Sequence, residues 1–281
     1  MVQLSLYNGM KMPCIGLGTW QIRDRGLLSE LLREAYTIGY RLIDTAAAYG
    51  NEIGIAKAIE SNGLHRDEII LSDKVWNTCR GYEEVQTACR NSLKKLKTDY
   101  LDLYLIHWPA SPRLHPDWER INAETWRGME KLLEEGLVRA IGVSNFKMHH
   151  LEALKKTCKI KPMINQIEFH PGMENTETYD YCKAHDILIQ ASSPLGNGEI
   201  LSNDELMKLA KEKGKSAAQI SLRWELQKGV AAIPKTTNFG RLAENIDLFD
   251  FQLNEEEMKR IDKIPYCGGL GIDSDEVTEF G

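Results

Sequence analysis

No two of the six cysteines (Cys14, Cys79, Cys89, Cys158, Cys182, Cys267) stand in a C-x-x-C pair, so a zinc site or redox dithiol has no support in the sequence. Thiols scattered in this way read as the reduced cysteines of a cytoplasmic protein. No apolar run approaches the roughly 18–20 residues that span a bilayer, and no membrane partner is expected. The opening segment MVQLSLYNGMKMP is broken by Gln3, Asn8 and Gly9 and does not read as a signal peptide. Positive charge is in short supply as well: 35 Lys and Arg against 41 Asp and Glu give a net charge of −6. Nucleic acid is therefore not the expected partner. No low-complexity stretch or linker divides the chain, and residues 1–281 read as one domain.

What the sequence does have is repetition. Around Asn8-Gly9 the segment QLSLYNGMKMP alternates, a hairpin signal over residues 1–13. Eight short apolar runs follow: CIGLG from 14, YRLIDT from 40, EIILSDKV from 68, LDLYLIHW from 101, VRAIGVS from 138, PMINQIEF from 162, DILIQAS from 186 and VAAIPKT from 230. They alternate poorly, as parallel strands buried on both faces do. Helical patterns lie between them. Residues 80–97 place Val85, Cys89, Leu93 and Leu96 on one face, and 122–135 and 203–213 repeat the pattern. Gly39, Gly63, Gly136 and Gly214 mark helix ends. Eight strand–helix units predict an α/β fold, a closed (β/α)8 TIM barrel with an N-terminal β-hairpin. The alternative is an open doubly wound sheet, but the first strand runs into GLGTWQ, which lacks the third glycine of a dinucleotide fingerprint. The acidic, glycine-rich end CGGLGIDSDEVTEFG (266–281 with Tyr266) reads as a short mobile C-terminal tail.

Barrel chemistry sits at the C-terminal ends of the strands. There the sequence places Asp44, Lys74 and His107 on three successive strands, then Ser144-Asn145, Gln166, Gln190 with Ser192-Ser193, and Lys235-Thr236. Buried charge needs a partner, and Asp44 with Lys74 supplies one. A purely structural ion pair would account for those two, but not for Tyr49 or His107. Lys235, Thr236 and Arg241 group two cations and a hydroxyl in the last loop, either a phosphate site or a solvated basic loop. Trp20, Trp76 and Trp108 follow strands one, three and four and would wall a pocket, although Trp108 also suits the core. Glu168 and His170 resemble half of a metal pair without a third ligand, and read instead as a strand-to-loop segment. No metal is expected. His149-His150 opens a helix and reads as surface.

Taken together, GLGTWQ, LIDTAAAYGNE, DKVW, LIHWP, AIGVSNF, NQIEFHP, SPLGNG and IPKTTNFGRLAENIDLFDF resemble the aldo-keto reductase family, in the family's order, across residues 7 to 265. The likeness is to the shorter, microbial-type members that reduce 2,5-diketogluconate, methylglyoxal and related carbonyls. It implies NADPH as cofactor, a small carbonyl as substrate and a monomer or weak oligomer. It also implies a catalytic tetrad on Asp44, Tyr49, Lys74 and His107, with Tyr49 as proton donor, Lys74 as the cation that lowers its pKa, and His107 orienting the carbonyl. Cofactor contacts are implied at Gly18, Thr19, Trp20, Asp44, Ser144, Asn145, Gln166, Ser192, Ser193, Pro194, Leu195, Gly196, Lys235, Thr236, Arg241, Glu244 and Asn245. Substrate contacts are implied at Trp20, Tyr49, Trp76, His107 and Trp108. Ser192 departs from the family pattern, since an aromatic that stacks on the nicotinamide usually stands there. The loop 109–121 and the tail are expected to set specificity. Two other classes stay open: a cofactor-binding scaffold or sensor without turnover, and a carboxylate-pair hydrolase, which lacks a second clear acid at a strand end.

Overall fold

The Asn8-Gly9 turn forms because glycine accepts the left-handed backbone (Gly9 φ 86°) and the Asn8 side chain accepts the Met10 N–H at 3.0 Å. It joins β1 (Gln3–Ser5) to β2 (Lys11–Pro13) in antiparallel register, Leu4 opposite Met12. Tyr7 Oη donates to the Lys161 carbonyl at 2.6 Å and Asn8 Nδ2 to the Arg139 carbonyl at 3.3 Å. Both acceptors immediately precede barrel strands, so the hairpin covers the end of the barrel where strands begin and leaves the other end open. The computed structural model describes residues 2–277.

All eight expected strands form. They are β3 (Leu17–Gly18), β4 (Leu42–Asp44), β5 (Ile70–Val75), β6 (Leu103–Ile106), β7 (Ile141–Ser144), β8 (Ile164–Glu168), β9 (Leu188–Ser192) and β10 (Ala231–Ala232). They pair in chain order and every pairing is parallel. Closure comes from β3 and the residues just ahead of it. Ile15 bridges Ala232 in parallel, Gly16 N–H donates to the Ala232 carbonyl at 2.8 Å, and Gly18 N–H donates to the Pro234 carbonyl at 3.1 Å. Gly18 is required by this approach, because a Cβ there would lie 2.8 Å from the Ile233 carbonyl oxygen.

The helices wrap this sheet. The first four are α1 (Arg25–Ile38), α2 (Glu52–Ser61), α3 (Tyr82–Leu96) and α4 (Trp118–Glu134); then come α5 (Met148–Lys155), α6 (Thr176–Ala184), α7 (Asp204–Lys213), α8 (Ala217–Gln227), α9 (Phe239–Ile246) and α10 (Glu255–Asp262). Three match the apolar stripes read from sequence, although α4 begins earlier, at Trp118. Two helices, α7 and α8, stand between β9 and β10 where one unit needs one. α7 is tied to α10 by Arg260, which pairs with Glu205 and Glu212. Among the described residues no helix is long and apolar enough to cross a membrane.

Within the described residues, the segment expected to be a mobile tail makes polar contacts with the barrel. Leu270 and Gly271 donate their N–H groups to Glu168, and Lys147 pairs with Asp275 at 2.8 Å. Residues 278–281 lie outside the described residues.

Period-two alternation sends Asp73 outward from β5 while Lys74 points inward. Burial, and then the Glu52 carboxylate, push the Asp73 carboxyl up to about 7, against the Ser92 hydroxyl. An acid whose folded pKa lies above its unfolded value of about 3.9 holds its proton more tightly in the fold. Its contribution is full below the unfolded value and is lost as pH rises through the folded one. Asp73→Asn is therefore expected to gain in melting temperature over wild type as pH is raised from about 5 to about 8. Melting curves at the two pH values check this; an equal difference at both would refute it.

Candidate active site

Three strand ends place the charged residues. β4 stops at Asp44 and β5 carries Ser72 and Lys74 two residues apart, so both face inward, with Asp44 in register with Ser72. β7, β8 and β9 bring Ser144 beside Gln166 and Gln166 beside Gln190. The result is a polar layer across the open end of the barrel. Lys74 is fully buried, and its Nζ donates to Asp44 Oδ2 at 2.6 Å and to the Thr45 carbonyl at 2.9 Å. Asp44 Oδ1 accepts from Ser72 Oγ at 3.0 Å and from Gln166 Nε2 at 2.9 Å. The third direction of the ammonium leads to Tyr49 Oη at 3.5 Å.

Tyr49 ends a short 3-10 turn, Ala47–Tyr49, closed by Gly50 in the left-handed region. Asn51 fixes that turn. Its side chain accepts from Thr45 Oγ1 at 2.6 Å and donates to the Thr19 carbonyl at 2.9 Å, stitching the loops after β3 and β4 together. The Tyr49 ring meets His107 edge-on at 5.7 Å, and Trp76 meets the same imidazole edge-on at 5.1 Å.

The electrostatics separate these groups. Burial works to lower the Lys74 ammonium, but Asp44 and Tyr49 outweigh it and hold its pKa above the ordinary lysine value. Burial, and then Lys74, push His107 well below the usual histidine value, so it is neutral. Burial raises the Tyr49 phenol and Lys74 opposes, with burial the larger effect. Lys74 does act to lower the phenol, as expected from sequence, but desolvation exceeds its pull and the net direction is upward. A protonated phenol backed by an ammonium, beside a neutral imidazole, can donate a proton to an oxygen bound in front of it.

These groups form the floor of a cleft of about 960 Å³. Of the residues expected from sequence, Gly18, Thr19, Trp20, Asp44, Tyr49, Trp76, His107, Trp108, Ser144, Asn145, Gln166, Ser192, Ser193, Pro194, Leu195, Lys235, Thr236, Arg241, Glu244 and Asn245 line it. Lys74 stands behind Tyr49, and Gly196 is buried outside the lining. Sequence reasoning missed Gln21, Asn197, Gly198 and Leu201 and the start of α8 (Ser216, Ala217, Ala218), which line the cleft; Leu270 and Ile272 also line it, and they belong to the tail expected to set specificity, where no single residue had been named. One signal was available for α8: Ser216-x-x-Gln219 is a capping box. Four non-glycine residues with left-handed backbone, Gln21, Asn145, Ser193 and Asn197, line this cleft. Such backbone costs energy and collects at functional sites.

One arm of the cleft suits an anionic ligand. Among the described residues neither Lys235 nor Arg241 forms an ion pair. Asn238 caps α9 by accepting the Arg241 N–H at 3.1 Å, and Asn238 N–H donates to Thr236 Oγ1 at 3.0 Å, so the start of α9 opens beside both cations. Ser216, the cap of α8, donates its hydroxyl to Glu244 across the same arm.

His150 corrects an expectation. It is fully buried rather than on the surface, packed edge-on against Trp118 at 5.1 Å and Phe146 at 5.7 Å; only His149 is exposed. His149, His150 and Asp275 converge in a group whose composition would suit a metal ion. The Lys147 N–H donates to His150 Nδ1 at 3.2 Å, which puts the imidazole proton on Nε2, 3.2 Å from Asp275 Oδ1. A protonated nitrogen is not a ligand.

Residues 14–265 match the model of the aldo/keto reductase family. The glyoxal reductase of Bacillus subtilis (strain 168) is 45% identical over 274 residues, covering 98% of this chain and 96% of its own. The 9,11-endoperoxide prostaglandin H2 reductase of Trypanosoma cruzi (strain CL Brener) is 45% identical over 281 residues, covering 99% and 96%. A crystal structure of a Gox0644 mutant in complex with NADPH superposes with a TM-score of 0.91 at 36% identity, covering 99% of each chain. With a closed barrel, a family match over residues 14–265 and these relatives over nearly its whole length, the chain belongs to the aldo/keto reductase family.

Proposed function

We propose that this protein reduces small aldehydes and ketones to alcohols with NADPH, and that Tyr49 delivers the proton. The observation that carries the reading is the stack of Asp44, Lys74 and Tyr49, three groups in a line from the barrel interior to the cleft. A binding scaffold has no use for an ammonium buried behind a phenol, whereas a proton donor does.

Bound NADPH supplies a hydride to the carbonyl carbon. The chain's own residues manage the oxygen. His107 is neutral, so it orients the carbonyl as a hydrogen-bond donor and is not an acid. Lys74 does not reach the cleft, which leaves the Tyr49 hydroxyl to protonate the oxygen, and Lys74 then faces the phenolate that remains. Asp44 keeps Lys74 charged and aimed. Ser144, Asn145 and Gln166, at the ends of β7 and β8, are suited to hold the nicotinamide amide: Asn145 is itself held by the His107 carbonyl at 2.9 Å. Lys235, Thr236 and Arg241, with the open start of α9, are suited to the phosphate on the adenosine ribose, with Glu244 and Asn245 beside it. Trp20, Trp76 and Trp108 give the substrate side flat apolar walls, which suit small carbonyls without selecting one strictly. The glyoxal reductase among the relatives puts 1,2-dicarbonyls first among substrates to try.

NADPH oxidation in the presence of a panel of aldehydes, ketones and dicarbonyls tests the reading; cofactor binding without oxidation of any of them would refute it. Tyr49→Phe is expected to lower kcat by about 10²–10⁴-fold while NADPH affinity, read by fluorescence titration, stays within a few-fold. Full turnover in this variant would remove Tyr49 from the role. Arg241→Ala is expected to lower the preference for NADPH over NADH by about 10-fold or more, the worth of one charge-assisted contact. An unchanged ratio of kcat/KM for the two cofactors would refute that assignment.

A further inference from the structure

Glu168, at the end of β8, takes no part in the tetrad, yet it is buried and borders the cleft. Its two carboxylate oxygens accept successive backbone amides from the tail, Oε1 from Leu270 at 2.6 Å and Oε2 from Gly271 at 2.8 Å. Successive amides turned toward one anion make a nest of the kind that binds phosphate; here the anion is the protein's own. Burial works to raise the Glu168 carboxyl, and His170 with the two amides outweighs it, so the group stays ionised. The amide one residue earlier, Gly269, donates at 3.3 Å to Glu199. Glu199 belongs to the 3-10 segment Gly196–Ser202, whose Asn197, Gly198 and Leu201 line the cleft. The glycines make this possible. A Cβ at Gly269 would fall 2.3 Å from Glu168 Oε1 and 2.6 Å from His170 Nε2, and one at Gly268 would fall 2.4 Å from Glu199 Cβ. Both positions have positive φ. Beyond them Leu270 and Ile272 turn into the cleft, and the far end is held separately by Asp275 on Lys147 and His149.

Three consecutive amides thus bind two glutamates on two different walls. We infer that Gly268–Ile272 is a strap joining the substrate side of the cleft to the segment over its cofactor side, and that Glu168 is the positioning residue that seats it. Leaving of the cofactor and binding of the carbonyl are then coupled: the segment 196–202 moves away with the tail, and a lifted tail withdraws Leu270 and Ile272 from the substrate wall. The inference rests on the reductase reading for the identity of the two ligands.

Glu168→Gln keeps the shape but turns one acceptor into a donor facing an amide N–H. Gly269→Ala leaves Glu168 intact and displaces the strap by a methyl group, so it serves where the first variant fails to fold. The measurements are the NADPH release rate by stopped-flow fluorescence, and KM and kcat for methylglyoxal. Losing one charge-assisted hydrogen bond is worth about 10-fold or more, so both variants are expected to release NADPH ~10-fold faster and to raise KM ~10-fold, with kcat lowered less than ~3-fold. A general loss of packing would lower kcat and thermal stability without accelerating release. Unchanged release in a folded variant, or a rise in KM without faster release, overturns the coupling. The two readings fail separately: release accelerated as expected in a protein that oxidises no NADPH with any carbonyl would refute the reductase reading and leave the strap standing.

Discussion

Everything at the open end of the barrel depends on a lysine that water never reaches. Taking an ammonium and a carboxylate out of solvent costs several kcal/mol each, and their attraction offsets this only when the remaining donors and acceptors are satisfied. That condition explains the neighbours. Asp44 takes one donor from Lys74 and two more, from Ser72 and Gln166, while Lys74 gives its second N–H to the Thr45 carbonyl. The parallel register fixes these partners, since Asp44 lies against Ser72, and Gln166 against both Ser144 and Gln190. One direction of the ammonium is left over, and Tyr49 stands in it at 3.5 Å, long for a hydrogen bond. The pair is thus nearly self-sufficient, and its unspent charge points at the cleft.

That geometry bears on how Lys74 acts. With a neutral phenol in front of it, the ammonium gains little; with a phenolate it gains a full charge–charge interaction at short range in a poorly screened place. Burial raises the phenol in the resting structure, so Tyr49 keeps its proton until an oxygen in front of it takes up electron density. In the proposed reaction the interaction of Lys74 strengthens as the proton leaves, which is the condition for accelerating a step rather than tightening binding. A neutral His107 fits the same scheme. A second cation there would stabilise the phenolate before substrate arrived, and burial together with Lys74 prevents it.

Much of this was legible in the chain because a parallel strand buried on both faces has a plain signature, and a charge at its end violates it. LIDT, ILSDKV and LYLIHW are apolar runs interrupted by Asp44, Lys74 and His107, and the structure brings those three together. Period-two spacing also made Ser72 inward-facing in principle, although a serine in a strand does not call attention to itself. What could not be read depends on contacts between distant segments. His150 looked like a surface residue because HH beside polar residues usually is one; it is buried because Trp118 and Phe146 close over it. The start of α8 carries an ordinary cap signal that does not say what it faces. The tail reads as mobile from its glycines and acids, yet the same glycines fit it against Glu168 and Glu199.

The two ends of the cleft use opposite electrostatic strategies, which limits what each can bind. On the arm near α9, neither Lys235 nor Arg241 forms an ion pair among the described residues, and the start of the helix adds to their field. An anion entering there gains charge-assisted contacts without displacing an internal partner. On the substrate side every nearby charge is already matched: Lys74 by Asp44, Glu168 by two amides and His170. Among the described residues, what faces a ligand there is aromatic wall with Leu270 and Ile272, one phenol and one neutral imidazole, a surface that suits a small uncharged carbonyl and gives a charged one little in return for its desolvation. In a chain at −6 overall, Lys235 and Arg241 are the cations that line the cleft; in the proposed reaction, recognition of the cofactor would then be electrostatic, while that of the substrate would rest on shape and on the single oxygen that Tyr49 and His107 can reach.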